Sequence, residues 1–302
     1  MPSPIFTELP PPVGMDQRIL AEQRARASYV EPPVSVRHVS IVSQGREVPA
    51  RIYTAISNVN PDSILVWFHG GAFIGGSLDM PEAEVVSYEL AHRTGAVVIS
   101  VDYSLVTDDL RFPAPQQDGF AALRWAFHNA GSLGVRNPKV FVGGGSAGAC
   151  LAGSVSLLSR DHGYQLAGVL PIYPVAHLAV QPFDAELRAV LPERDIEMAT
   201  VMGQLHNPWL LGESSEAEQR KWHVFPGDTA DVTGQAPFLF IQSELDALRA
   251  TGQVWCDQLR AAGIAVEGHL LTGADHGFLN RTPDTDAHMA RCLELMAQFI
   301  SR

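Results

Sequence analysis

Three cysteines in 302 residues are too few, and odd in number, for a disulfide framework. Cys150, Cys256 and Cys292 each sit in a helix-like run, with no CxxC or Cys/His spacing that would hold a metal. Positive charge is also scarce: 21 Lys and Arg stand against 33 Asp and Glu, for a formal net charge of −12. That balance disfavours nucleic-acid partners, which need a basic footprint, and repels polyanionic substrates at long range. Neutral or cationic small molecules are the better match. No uninterrupted apolar stretch approaches the roughly 20 residues of a membrane span. The first 14 residues hold five prolines but neither a basic n-region nor an apolar h-region, so they do not read as a secretory signal. These absences point to a soluble chain in a reducing, cytoplasmic setting.

What is present suffices for a sizeable core: 46% of residues are hydrophobic and 18% charged. The length suits one large α/β domain or two ordinary ones. Met15–Tyr29 is a good helix former, ended by Pro32 and Pro33. Val34–Val42 and Glu47–Thr54 read as a β-hairpin about Gln44–Gly45. Strands are then expected at Ile64–Phe68 and Ala96–Val101, both buried, and at Lys139–Val142, Gly168–Ile172, Phe238–Gln242 and Val266–Leu271. Helical runs lie between them at Pro81–Arg93, Gln116–Asn129, Ser146 to about Arg160, Ala247–Ala262 and Pro283–Ile300. Strands alternating with helices over this span argue for a mostly parallel sheet of about eight strands covered on both faces, with the N-terminal hairpin antiparallel. From His177 to about Gln235 the rhythm breaks, with a helix expected at Glu193–Leu205 and no clear strand. That segment reads as an insertion over one end of the sheet.

The stretch Val140-Phe141-Val142-Gly143-Gly144-Gly145-Ser146-Ala147-Gly148 admits two chemistries. Gly144-x-Ser146-x-Gly148 is a nucleophile elbow, whereas Gly143-x-Gly145-x-x-Gly148 is a dinucleotide fingerprint. A serine nucleophile needs a base, an acid to orient the base, and N–H donors for the developing oxyanion. Each requirement has a candidate in the right chain order. Asp246 follows the strand Phe238–Gln242, with Glu244 in reserve, although an acid there is as readily a helix N-cap. His276 follows Val266–Leu271, while His269 within that strand reads as structural and Asp275 as pointing elsewhere. His69-Gly70-Gly71-Ala72 follows the first buried strand, so Gly70, Gly71, Ala72 and Ala147 are the candidate oxyanion donors. The oxidoreductase reading needs an acid about 20 residues past the glycines; Asp161 is near that distance but follows the helix directly, ahead of the next strand.

Taken together, His69-Gly70-Gly71-Ala72-Phe73, Gly144-Gly145-Ser146-Ala147-Gly148, Asp246-Ala247-Leu248-Arg249 and His276-Gly277-Phe278 resemble the hormone-sensitive-lipase-like (bacterial type) carboxylesterase branch of the α/β-hydrolases. Val101–Leu105, Phe112–Pro115 and Asp118 add to the likeness, which runs from about Ile64 to the C-terminus. The resemblance implies hydrolysis of small to medium neutral acyl esters through an acyl-enzyme formed on Ser146, with no cofactor and no metal. It implies a cap made from residues 1–45 and 177–232 over a catalytic domain of residues 46–176 and 233–302, and it leaves a homodimer open. Three departures stand out: Ala72 replaces the third glycine of the oxyanion loop, Gly145 replaces the Asp or Thr usual before the nucleophile, and Asp102–Thr107 lacks the customary arginine and proline. Amide, lactone or carbamate hydrolysis would use the same triad, and a non-catalytic hydrolase-fold binding protein is the alternative of another class. Phe183, Trp209, Trp222 and Phe225 are expected either in the insertion's own core or on the wall of an apolar site.

Overall fold

The computed structural model describes residues 26, 28–57 and 61–302. The proline-rich lead-in and all but the end of the Met15–Tyr29 helix lie outside the described residues.

Eight strands form one sheet in the order β1-β2-β4-β3-β5-β6-β7-β8. β1 (Val34–Ser43) and β2 (Arg46–Ala55) pair antiparallel, as do β2 and β4 (Val97–Val101). β3 (Ser63–Phe68), β5 (Lys139–Gly145), β6 (Gly168–Ile172), β7 (Phe238–Leu245) and β8 (Val266–Asp275) continue the sheet in parallel from β4. Every residue of β3, β4 and β6 is buried, which is why these strands read as continuous apolar runs without alternation. β1 is a sheet strand although it lies within the 1–45 segment expected to belong to the cap and lead-in.

Five longer helices cover the two faces: α1 (Pro81–Thr94), α2 (Ala114–Asn129), α3 (Ala147–Asp161), α8 (Arg249–Ala261) and α9 (Ala287–Ile300). α3 is buried along nearly its whole length, which its Ala, Gly, Ser and Leu side chains permit. Its start is pressed against β3: a methyl group at Gly148 would lie 2.1 Å from the Phe68 carbonyl oxygen. Between β6 and β7 the expected insertion carries α4 (Ala185–Val190), α5 (Glu193–Val201), α6 (Asn207–Leu211) and α7 (Glu216–Trp222). The single helix expected at Glu193–Leu205 is instead α5 passing through a π-helical turn, Met202–His206, into α6. Such a turn shifts helical phase. Here it buries His206, whose Nε2–H donates to the Ala72 carbonyl at 2.9 Å. Arg111 reinforces the same junction, donating to the Trp209 carbonyl at 2.9 Å with its guanidinium 3.8 Å from the indole centre. Among the described residues no helix is long and apolar enough to cross a membrane.

Two outcomes are expected. Gly148→Ala forces backbone atoms apart and should cost about 3 kcal/mol or more; an unchanged Tm would rule out the close approach of α3 to β3. Burial holds the His206 imidazole down, to about 4. The folded chain therefore refuses a proton that the unfolded chain accepts near pH 6.5, and stability present above that pH is lost as pH falls toward 4. The loss from this one group should approach about 3 kcal/mol, and His206→Gln should remove that part of the pH dependence. Urea melts at pH 7 and pH 4.5 on both proteins provide the check; parallel losses would refute it.

Candidate active site

Ser146 lies between β5 and α3 with φ 55° and ψ −115°. A side chain on such a backbone is strained by about 1–3 kcal/mol and needs its surroundings to hold it. The Ser146 N–H donates to Ile172 O at 3.0 Å, and its carbonyl accepts from Ala149 N and Cys150 N in the first turn of α3. The resulting sharp reversal leaves the hydroxyl at the C-terminal edge of the sheet, where Oγ is 3.0 Å from His276 Nε2. His276 follows β8, and its Nδ1 lies 2.7 Å from Asp246 Oδ2. The carboxylate accepts only, so Nδ1 carries the proton and Nε2 is left to accept from the serine. Asp246, 4% exposed, divides its two oxygens: Oδ2 meets the imidazole while Oδ1 accepts from Leu248 N at 2.8 Å just before α8. The helix N-cap expected of an acid here is absent, since α8 starts behind Leu248 without a side-chain cap, and the Asp246 carboxylate holds the preceding turn and the imidazole together.

The other candidates are engaged elsewhere. Glu244 accepts from Gly273 N at 2.7 Å and so braces the end of β8, three residues before His276. Asp275 faces Arg281 at 2.6 Å and 2.7 Å, and His269 pairs with Glu267 within β8. Asp161 pairs with His223 at 2.7 Å and with Arg160, at the far end of α3 from the glycines. The dinucleotide reading thereby loses its acid. Its glycines have another use, since a methyl at Gly143 would touch Trp67 and Leu170 at 3.0–3.1 Å and one at Gly144 would meet Gly148 at 2.4 Å.

The oxyanion loop is held by hydrogen bonds from three directions. Tyr103 OH donates to His69 O at 2.8 Å, His206 holds Ala72 O, and Gly71 O closes a turn with Ile74 N and Gly75 N. Gly71 at φ 117° suits only glycine, whereas Ala72 tolerates φ 53° with its methyl retained. One expected donor is corrected: the Gly70 N–H is spent on Glu82 Oε2 at 2.7 Å. Gly71 and Ala72 donate to no backbone or side-chain acceptor among the described residues. Ala147 begins α3, where the first N–H groups lack intrahelical partners and the helix dipole is positive.

Glu82 and Tyr173 are site residues that the sequence does not announce. Glu82 resembles any acid in the first turn of a helix, behind Pro81. It is 1% exposed, however, and accepts from Gly70 N and, at 2.6 Å, from Tyr173 OH. The Tyr173 ring stands edge-on to His276 with centroids 5.0 Å apart. Burial, with the Glu82 carboxylate beside it, holds the phenol well above its usual range, so it remains a donor. The only signal available was the bare Gly145, a place where a side chain was missing.

Above these groups lies a cavity of about 520 Å³ reaching from Ser146, Gly71 and Ala72 to Asp195, Met198 and Met202 of the insertion. None of the four insertion aromatics lines it. Phe225 packs on Phe112, Trp209 stacks on His206, Trp222 joins the main core and Phe183 a small cluster under α4.

Residues 65–280 match a family described by its alpha/beta hydrolase fold. An arylesterase of Saccharolobus solfataricus is 29% identical, over 85% of this chain and 81% of its own. Carboxylesterase NlhH of Mycobacterium tuberculosis is 31% identical, over 78% and 72% respectively. Among solved structures, the thermophilic carboxylesterase EstE1 from a metagenomic library superposes with a TM-score of 0.78 at 28% identity, covering 96% of this chain and 97% of that one. With the sheet order, the elbow and these relatives in agreement, the chain belongs to the α/β-hydrolase family, in its hormone-sensitive-lipase-like branch of carboxylesterases.

Proposed function

We propose that this protein hydrolyses carboxylic esters of small to medium neutral acyl groups through an acyl-enzyme on Ser146. One observation carries the reading: Ser146 Oγ, His276 and Asp246 form a continuous hydrogen-bonded line of 3.0 Å and 2.7 Å beside the N–H groups of Gly71, Ala72 and Ala147. In this scheme His276 Nε2 takes the hydroxyl proton as Oγ adds to the ester carbonyl, and Asp246 stabilises the imidazolium. The three N–H groups receive the oxyanion. His276 then protonates the leaving alcohol, and water repeats the sequence to free the acid and restore Ser146. The names of the arylesterase and carboxylesterase relatives support ester over amide, lactone or carbamate. Met80, Met198, Met202 and Leu248 around the cavity support a neutral acyl group. Three buried free thiols support a reducing, cytoplasmic setting.

Ser146→Ala or His276→Ala should lower kcat on the order of 10⁴-fold or more, with Asp246→Asn less damaging. An organophosphate should label Ser146 in the native protein and fail to label the His276→Ala variant. A folded native protein that resists labelling would be a binding protein instead. A chain-length series of activated esters beside matched amides reads the substrate class, and faster turnover of the amides would overturn the ester assignment.

A further inference from the structure

We infer that Glu82 is a positioning residue for this reaction: its buried carboxylate occupies the space of the side chain that Gly145 lacks and fixes the oxyanion loop and the support of His276 together. The inference rests on the hydrolase reading of Ser146 and His276.

The geometry is specific. A methyl placed on Gly145 would lie 1.9 Å from Glu82 Oε1, 2.7 Å from its Cδ and 3.0 Å from Tyr173 Cε2. A methyl on Gly70 would lie 2.7 Å from Oε2 and 3.2 Å from Ser146 Cβ. The carboxylate therefore fills the volume behind the elbow, entering from α1. Its backbone is anchored as well, because Trp67 Nε1–H donates to the Glu82 carbonyl at 2.8 Å.

The partners distinguish this acid from its neighbours. Of the three acids on α1, Glu84 pairs with Arg51 and Glu89 with Arg93. Glu82 turns inward and forms no ion pair among the described residues; its donors are Gly70 N–H and Tyr173 O–H. A buried carboxylate is costly unless donors meet it, and here both donors adjoin the reacting groups. The bond to Gly70 sets the peptide planes that follow, those of Gly71 and Ala72. Their N–H groups must sit near 3 Å from an oxyanion that exists only after attack. The bond to Tyr173 holds the ring against which His276 stands, with Phe278 at 5.1 Å on the same ring. Both effects are felt in the transition state more than in substrate binding, so they should appear in kcat and leave KM nearly unmoved.

The test measures kcat and KM on an activated short-chain ester, with kcat expressed per serine titrated by an organophosphate. Glu82→Ala should lose at least fivefold in kcat while KM stays within threefold. Glu82→Gln should keep a third or more of the native kcat, since its oxygen accepts from Gly70 while its amide donates to the phenol oxygen. Glu82→Ala combined with Gly145→Asp grows a carboxylate into the same space from the elbow side and should regain at least threefold over Glu82→Ala alone. A loss below fivefold, a KM that rises in step with the fall in kcat, or a double variant no better than the single one overturns the inference. Should Glu82→Ala fail to fold, Glu82→Asp, too short by one methylene to reach both donors, is judged by the same kcat and KM limits. A native protein that neither turns over esters nor reacts with the organophosphate defeats the hydrolase reading itself; a competent native enzyme with unaffected variants defeats only the role of Glu82.

Discussion

The chain reversal at Ser146 is possible because Gly144 and Gly148, two residues to either side, let backbone meet backbone. A methyl at Gly144 would collide with Gly148 and with the Phe68 carbonyl at 2.4–2.5 Å, and one at Gly148 with Phe68 and His69. β5, α3 and the end of β3 thus approach one another at backbone distance, and this approach sustains the strained φ of the serine. Ser146 is positioned by these three closely packed elements, and the loop from His69 to Ala72 inherits its position from the same contact. Rigidity of this kind is what catalysis by preorganised dipoles requires.

The groups above and below that floor have different origins. Asp246 and His276 come from the ends of β7 and β8, adjacent parallel strands, so the sheet register itself sets their distance. The oxyanion loop is tied from the side by Tyr103, from behind by Glu82, and from the insertion by His206. The insertion that contributes Met198 and Met202 to the cavity is thereby hydrogen-bonded to the backbone at Ala72, on the same cavity wall. The insertion and the His69–Ala72 loop are thus tied to each other directly.

Most of this was legible in the chain for identifiable reasons. Strands buried on both faces become uninterrupted apolar runs, so β3 to β7 and their order of chemistry-bearing exits stood out. Asp246 is separable from Glu244 in the sequence only by chain position, and the structure separates them by partner: one meets His276, the other the Gly273 N–H in β8. Gly70 reads as a donor because it lies in the run His69-Gly70-Gly71-Ala72; that its N–H is taken depends on a side chain 12 residues away. Glu82 itself was invisible, since the first turn of a helix is where acids ordinarily sit. The π-helical turn at Met202–His206 had no composition cue, as it follows from how the insertion docks rather than from propensity.

The placement of His276 has a consequence for how the molecule acquires its reactivity. The histidine stands 130 residues beyond the serine, directly after the edge strand β8, which follows the other seven strands of this sheet in the chain. Contacts so distant in the chain form late, because their loop-closure entropy must be overcome before they reward the fold. A nascent or partly folded chain can complete the elbow and still hold an ordinary, unreactive hydroxyl. On the proposed triad, therefore, a growing polypeptide carries no premature acyl-transfer activity until β8 has docked beside β7.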